Sequence, residues 1–150
     1  MSIRNSTESI MQALFALAQS VNTPAVPFTV MSRRWRHFND VTPDEQPAFF
    51  QAQLSGQTSK GGVRGLNVKE AKVRWCVYLP GSAGPDDVVS PTMNAYYDAL
   101  SNALLVNGVA INTLGGIVTN CFEDGQVFFD EGLLTTPSLI VIPITILTGM

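Results

Sequence analysis

The sequence predicts an α+β fold: a mainly antiparallel β-sheet with two α-helices packed on one face. Three observations carry the fold class. Two stretches, residues 6–20 and 90–108, repeat apolar side chains at helical spacing between capping and stop residues. Five others, one of them read as a two-stranded hairpin, are runs of β-branched and aromatic residues bounded by Gly, Pro, Asn and Asp. Their order is helix, three strands, helix, three strands, the pattern of a layered α+β sandwich. The 150 residues suffice for one domain, 1–150, with a real core.

Ser6 or Thr7 can cap the first helix, Glu8 lies in its first turn, and Ile10, Leu14, Leu17 and Val21 share a face. Pro24 and Pro27 end it. Residues 28–38, "FTVMSRRWRHF", read as extended, with Arg34 and Arg36 on one face and Arg33, Trp35 and His37 on the other. "FNDVTPDEQP" is a turn, and "AFFQAQL" (48–54) the next strand. Residues 55–65, Gly- and Ser-rich with Lys60 and Arg64, are a mobile loop or the tip of a long hairpin. In 68–79 the alternation is clearest: Ala71, Val73, Trp75, Val77 and Leu79 face one way, Lys72, Arg74, Cys76 and Tyr78 the other. A loop covers 80–87.

Ser90 as N-cap, Pro91 at the first helical position and Asn107-Gly108 as the stop define the second helix, roughly 24 Å long. Its buried stripe is Met93, Tyr96, Tyr97, Leu100, Ala103 and Leu104. Residues 116–132 read as a hairpin turning at Asp124-Gly125. The last strand, 138–148, is apolar on both faces and so should be covered on both. Pro143 cannot donate to a ladder and predicts an edge or bulge there.

Charged residues are only 14% of the chain, against roughly 25% in an ordinary domain. Much surface is therefore neutral, as in a subunit that hides surface in an assembly. The net charge of −3 is unevenly placed. All nine Lys and Arg lie between Arg4 and Arg74, whereas Asp86, Asp87, Asp98, Glu123, Asp124, Asp130 and Glu131 follow Trp75. Two Cys without metal spacing predict reduced, buried thiols. The N-terminus lacks a signal-peptide pattern, and "LIVIPITIL" is too short to span a bilayer. These point to a soluble, unexported protein with no membrane partner.

For catalysis, His37 with Asp40 and Cys76 is the one imaginable nucleophilic set, and no spacing supports it. The acid pairs Asp86-Asp87, Glu123-Asp124 and Asp130-Glu131 match no calcium loop and read as solvated turns. Phosphate-cradling glycine motifs are missing, so no cofactor is implied and the chain is not expected to be an enzyme. The stretch Arg33, Arg34, Trp35, Arg36 suits phosphate and base stacking on a nucleic-acid module. A pI near 4.9 argues against that, and Arg with Trp equally anchors protein contacts, so docking is the favoured use.

"SRRWRHFNDVTPDEQPAFF", residues 32–50, resembles the signature of tailed-bacteriophage tail terminator proteins, which are tail-completion and head-tail joining proteins. The matching residues are Arg33, Arg34, Trp35, then Asp40, then Glu45-Gln46-Pro47-Ala48-Phe49. The element order matches along nearly the whole chain. The resemblance implies a structural virion protein: a homohexameric ring at the head-proximal end of the tail tube, assembled in the host cytoplasm. Such a ring stops tube polymerisation and joins the tail to the neck, and DNA passes through its lumen without specific binding. Its partners would be itself, the tail tube protein and the neck or head-tail connector proteins. Expected subunit or tube contacts are Arg33, Arg34, Trp35, Arg36, Lys60 and Arg64, with Glu123 and Asp124 lining the channel. A neck adaptor of similar build and a small nucleic-acid-binding module remain alternatives.

Overall fold

The computed structural model describes residues 6–60, 67–81, 88–109, 111–132 and 137–149. Helix α1 (Thr7–Gln19) starts where the Ser6 hydroxyl accepts the Ser9 N–H at 3.1 Å, which satisfies one orphan donor of the first turn. Strands β1 (Val30–Ser32), β2 (Ala48–Lys60) and β3 (Asn67–Leu79) follow, then α2 (Ser90–Ala103), then β4 (Asn120–Glu123), β5 (Phe128–Asp130) and β6 (Ser138–Gly149). The six strands make one sheet, ordered β1-β2-β3-β6-β4, with β5 also paired to β6. Pairing is antiparallel throughout except for the three residues of β1 on β2. The chain is thus an α+β fold with two helices and a mostly antiparallel sheet.

The helices share one face of that sheet. Trp75 on β3 lies opposite Gln51 of β2 and Ile142 of β6, and residues directly opposite share a face. On this face Phe49, Trp75, Val77, Ile140, Ile142 and Ile146 are all fully buried. Leu14 and Ala18 of α1 and Met93 and Leu100 of α2 close over them. A polar link crosses this apolar layer. The Trp75 indole N–H donates to Gln51 Oε1 at 3.1 Å, and Gln51 Nε2 donates to the Met11 carbonyl of α1 at 3.0 Å. Burial of these amide and indole groups is tolerable because each has a partner.

Among the described residues the apolar cover of the opposite, outer face lies at one end, while further along Thr145 is buried against Lys72 and Asp124. At the covered end Val41 packs with Ala48, Phe50, Cys76 and Tyr78, and Leu139 and Val141 border the cluster. The expectation that β6 is covered on both faces therefore holds in part: Ile140, Ile142 and Ile144 are buried, whereas Leu139, Val141 and Leu147 are half-buried.

Three expectations about elements are corrected. Residues 28–38 are not one strand: only Val30–Ser32 pair, and the chain then leaves the sheet for short 3-10 turns at Phe38–Asp40 and Pro43–Glu45. The alternating face assignment of Arg33 to His37 falls with it. Residues 116–132 are not a hairpin, because β4 and β5 pair with β6 rather than with each other. Asp124 N–H donates to the Pro143 carbonyl at 3.0 Å, so the side of β6 on which Pro143 lacks its own N–H is this one. The pairing on this side of β6 is interrupted there, between β4 and β5, where Pro143 has no N–H to donate. Finally, α2 ends at Ala103, and Ser90 is its first helical residue, with Val89 at the cap. Asn107 and Gly108, at φ 52° and 76°, instead form a tight turn closed by two bonds of 2.9 Å between Val106 and Val109. β2 runs on through the Gly- and Ser-rich segment to Lys60, in register with Asn67, with a bulge between Gln53 and Ser55. The hairpin alternative for 55–65 is thus followed as far as Lys60, and 61–66 lie outside the described residues.

Gln51→Leu leaves the buried Trp75 N–H unsatisfied and should lower stability by about 1–3 kcal/mol in urea unfolding. In the Gln51→Leu, Trp75→Phe double variant the loss should be smaller than the sum of the single losses. Additive losses would show that the link is not coupled.

Candidate functional site

The stretch 32–50 folds into one clamped unit across the outer face. Arg33 leaves the end of β1 and meets Glu8 of α1 in a two-pronged pair, Nη1 to Oε2 at 2.6 Å and Nη2 to Oε1 at 2.9 Å. Arg36 makes the same fork with Glu45, both contacts at 2.8 Å, and also donates to the Asp40 carbonyl. Such fork-on-fork pairs fix geometry as well as charge. Glu45 in turn accepts the Thr42 N–H and hydroxyl, each at 3.1 Å, so the second 3-10 turn is capped by the carboxylate that holds Arg36. The Tyr78 hydroxyl of β3 donates to the Arg36 carbonyl at 2.8 Å, and the Arg36 guanidinium sits 5.9 Å from the Phe50 ring centre. The segment is therefore tied to α1, to β2 and to β3.

These contacts shape the electrostatics. The Arg36 fork, aided by the Thr42 N–H, holds the Glu45 carboxyl down to about 2. Arg33 likewise lowers Glu8. Burial pushes the Tyr78 hydroxyl up to about 12. Burial also pushes the Cys76 thiol up to about 11, against a smaller opposing pull from Arg74 and a hydrogen bond from Trp35. Cys121, beneath the helices, is pushed up to about 12. Two buried thiols held in the neutral form are the reverse of an activated nucleophile.

Two members of the basic stretch remain exposed. Arg34 is exposed, and among the described residues no carboxylate lies within ion-pair distance of its guanidinium. Trp35 is 45% exposed and meets the His37 ring edge-on at 6.1 Å. Lys60 ends β2, and Arg64, like Asp86 and Asp87, lies outside the described residues.

Glu123 and Asp124 separate to opposite faces of the sheet. Glu123 accepts the Tyr97 hydroxyl at 2.6 Å and the Ser101 hydroxyl at 2.8 Å, both from α2. Asp124 faces outward to Lys72 at 3.0 Å and to the Thr145 hydroxyl at 2.7 Å. They cannot share one cation, and among the described residues no three of His, Cys, Asp and Glu converge to hold a metal. Beside Glu123 lies a cleft of about 200 Å³ lined by Ser101, Leu104, Leu105, Asn120 and Phe122. No helix among the described residues is long and apolar enough to cross a membrane.

Sequence reasoning found the basic stretch but not the acids that hold it. Glu45 was within reach, since Thr42 and Glu45 stand in capping-box spacing. Glu8 lies 25 residues from Arg33, and no local pattern announces that pair. A scan against protein-family models finds no match, and a search of curated proteins finds no relative.

The Glu45 carboxyl gives a pH test. Its proton is held less tightly in the folded chain than at the ordinary 4.5, so its contribution to stability is complete above about 4.5 and is lost as pH falls toward about 2. Melting temperatures of wild type and Glu45→Gln should differ most at pH 6 and converge toward pH 2. Parallel curves across that window would refute this role for Glu45.

Proposed function

We propose that this chain is a structural virion protein, a tail terminator that forms a hexameric ring at the head-proximal end of a phage tail tube. There it stops tube polymerisation and joins the tail to the neck. One observation carries this reading: the stretch that resembles the terminator signature is clamped to its own subunit by two Arg–carboxylate forks and keeps two further side chains exposed. Arg33 and Arg36 are engaged by Glu8 and Glu45, while Arg34 and Trp35 remain exposed on a backbone that is already ordered. Ordered anchors lose little entropy on docking, which suits a contact surface. Arg and Trp are also the side chains that dominate such contacts.

The same geometry weighs against a nucleic-acid module. Binding to a phosphate backbone grows with the number of phosphates neutralised. Two of the three arginines here already carry carboxylate partners within the subunit.

Light scattering after size exclusion, with negative-stain images of the same peak, tests the proposal. A hexamer-sized ring, alone or on adding tail-tube protein, is expected. A twelve-fold ring would point to a neck adaptor, and a monomer that ignores tube protein would sink the assembly reading.

A further inference from the structure

Glu123 has an unusual environment for a half-buried carboxylate. Its two hydrogen-bond donors, Tyr97 and Ser101, are neutral hydroxyls, and among the described residues no cation lies within ion-pair distance. Each oxygen accepts one of these bonds and keeps a free lone pair, enough to receive a two-pronged donor. The adjoining cleft has apolar walls from Leu104, Leu105 and Phe122. A carboxylate at the side of an apolar slot fits a guanidinium on an alkyl stem, because arginine buries its methylenes while its head pairs. Asp98, exposed on the same helix, adds negative charge beside Tyr97.

The geometry points to this cleft as the receptor for Arg34 of a second copy of the chain, an inference that rests on the ring reading above. Arg34 is exposed and, among the described residues, without an acid partner, and it lies two residues beyond the end of β1. The cleft lies against β4. These strands stand at the two ends of the sheet order, roughly 19 Å apart at about 4.8 Å per strand. An arginine at one end and its receptor at the other cannot meet within one subunit. They make a head-to-tail contact, the kind that closes a ring.

Arg34→Glu should raise the protein concentration needed for ring assembly about tenfold, with the melting temperature of the subunit unchanged. In an Arg34→Cys, Leu105→Cys variant, held at a concentration well above the assembly threshold that loss of Arg34 raises, a short bismaleimide should produce a ladder of covalent oligomers that stops at the ring size. Cys76 and Cys121 stay out of that reaction because both are buried. A wild-type ring with no ladder, or with assembly indifferent to Arg34→Glu, would overturn this contact and leave the ring reading standing. A wild-type chain that forms no ring, with or without tube protein, would overturn both.

Discussion

Every other element takes its position from the two-residue period of β3. That strand is paired along its length on both sides, to β2 and to β6. Its odd positions, Ala71 to Leu79, turn under the helices, and its even positions, Lys72 to Tyr78, turn out. A slip of one residue would place Trp75 in water and Arg74 in the core, so the register is strongly specified. At about 25 cal/mol per Å² of apolar surface, the side chains beneath α1 and α2 supply most of the driving force for folding. The Gln51 link adds little net energy. It does fix where α1 sits over β2 and β3, since the Trp75 N–H and the Gln51 amide are satisfied only in that placement.

Two helices cover one face of a sheet and leave the other to be dealt with. At the Cys76–Tyr78 end the chain uses residues 33–47 as a cover. Among the described side chains of this segment Val41 is the one buried apolar residue, and a single such contact does not fix the path of the segment. The Arg33–Glu8 and Arg36–Glu45 forks do that instead. Partly exposed ion pairs contribute modestly to stability, but two forks, a capped 3-10 turn and the Tyr78 hydroxyl together leave the segment few alternatives. At the other end the outer face carries Lys72, paired with Glu70 and Asp124, which tolerates water without a cover.

What was legible in the sequence follows from how local each signal is. The alternation of β3, the Ser6 cap and the apolar stripe of α2 are patterns within a dozen residues, and they appear in the fold, the stripe with Met93, Tyr96, Leu100 and Leu104 buried and Tyr97 and Ala103 half-buried. What was not legible depends on partners far along the chain. Strand β1 stops at Ser32 because the following arginines are drawn to Glu8 and Glu45, so an extended-looking run of eleven residues yields three paired ones. Asp124-Gly125 has the composition of a hairpin turn, yet the chain continues along β6 because that strand offers a long open side. Pro143 announced a break but not which neighbour would bear it. The basic stretch was visible as composition; its division into engaged and exposed arginines was not.

The separation of charge along the chain survives folding in a particular way. Arg33 and Arg36 find their acids within the first half, and Lys72–Asp124 is the one ion pair among the described residues that joins the halves. Glu123 faces α2 rather than the outer face that Lys72 occupies, and there the hydroxyls of Tyr97 and Ser101 serve it. The sheet order keeps the halves apart as well, with β1 and β2 at one side and β4 and β5 at the other. A two-fold contact of the β4 side with itself would bring Glu123 and Asp98 against their own copies, and like charges in such a contact cost affinity. The head-to-tail contact proposed above would bring the acidic side of one subunit against the arginine-bearing side of the next. The same polarity repeats at every step, and a rotation that closes makes it a ring.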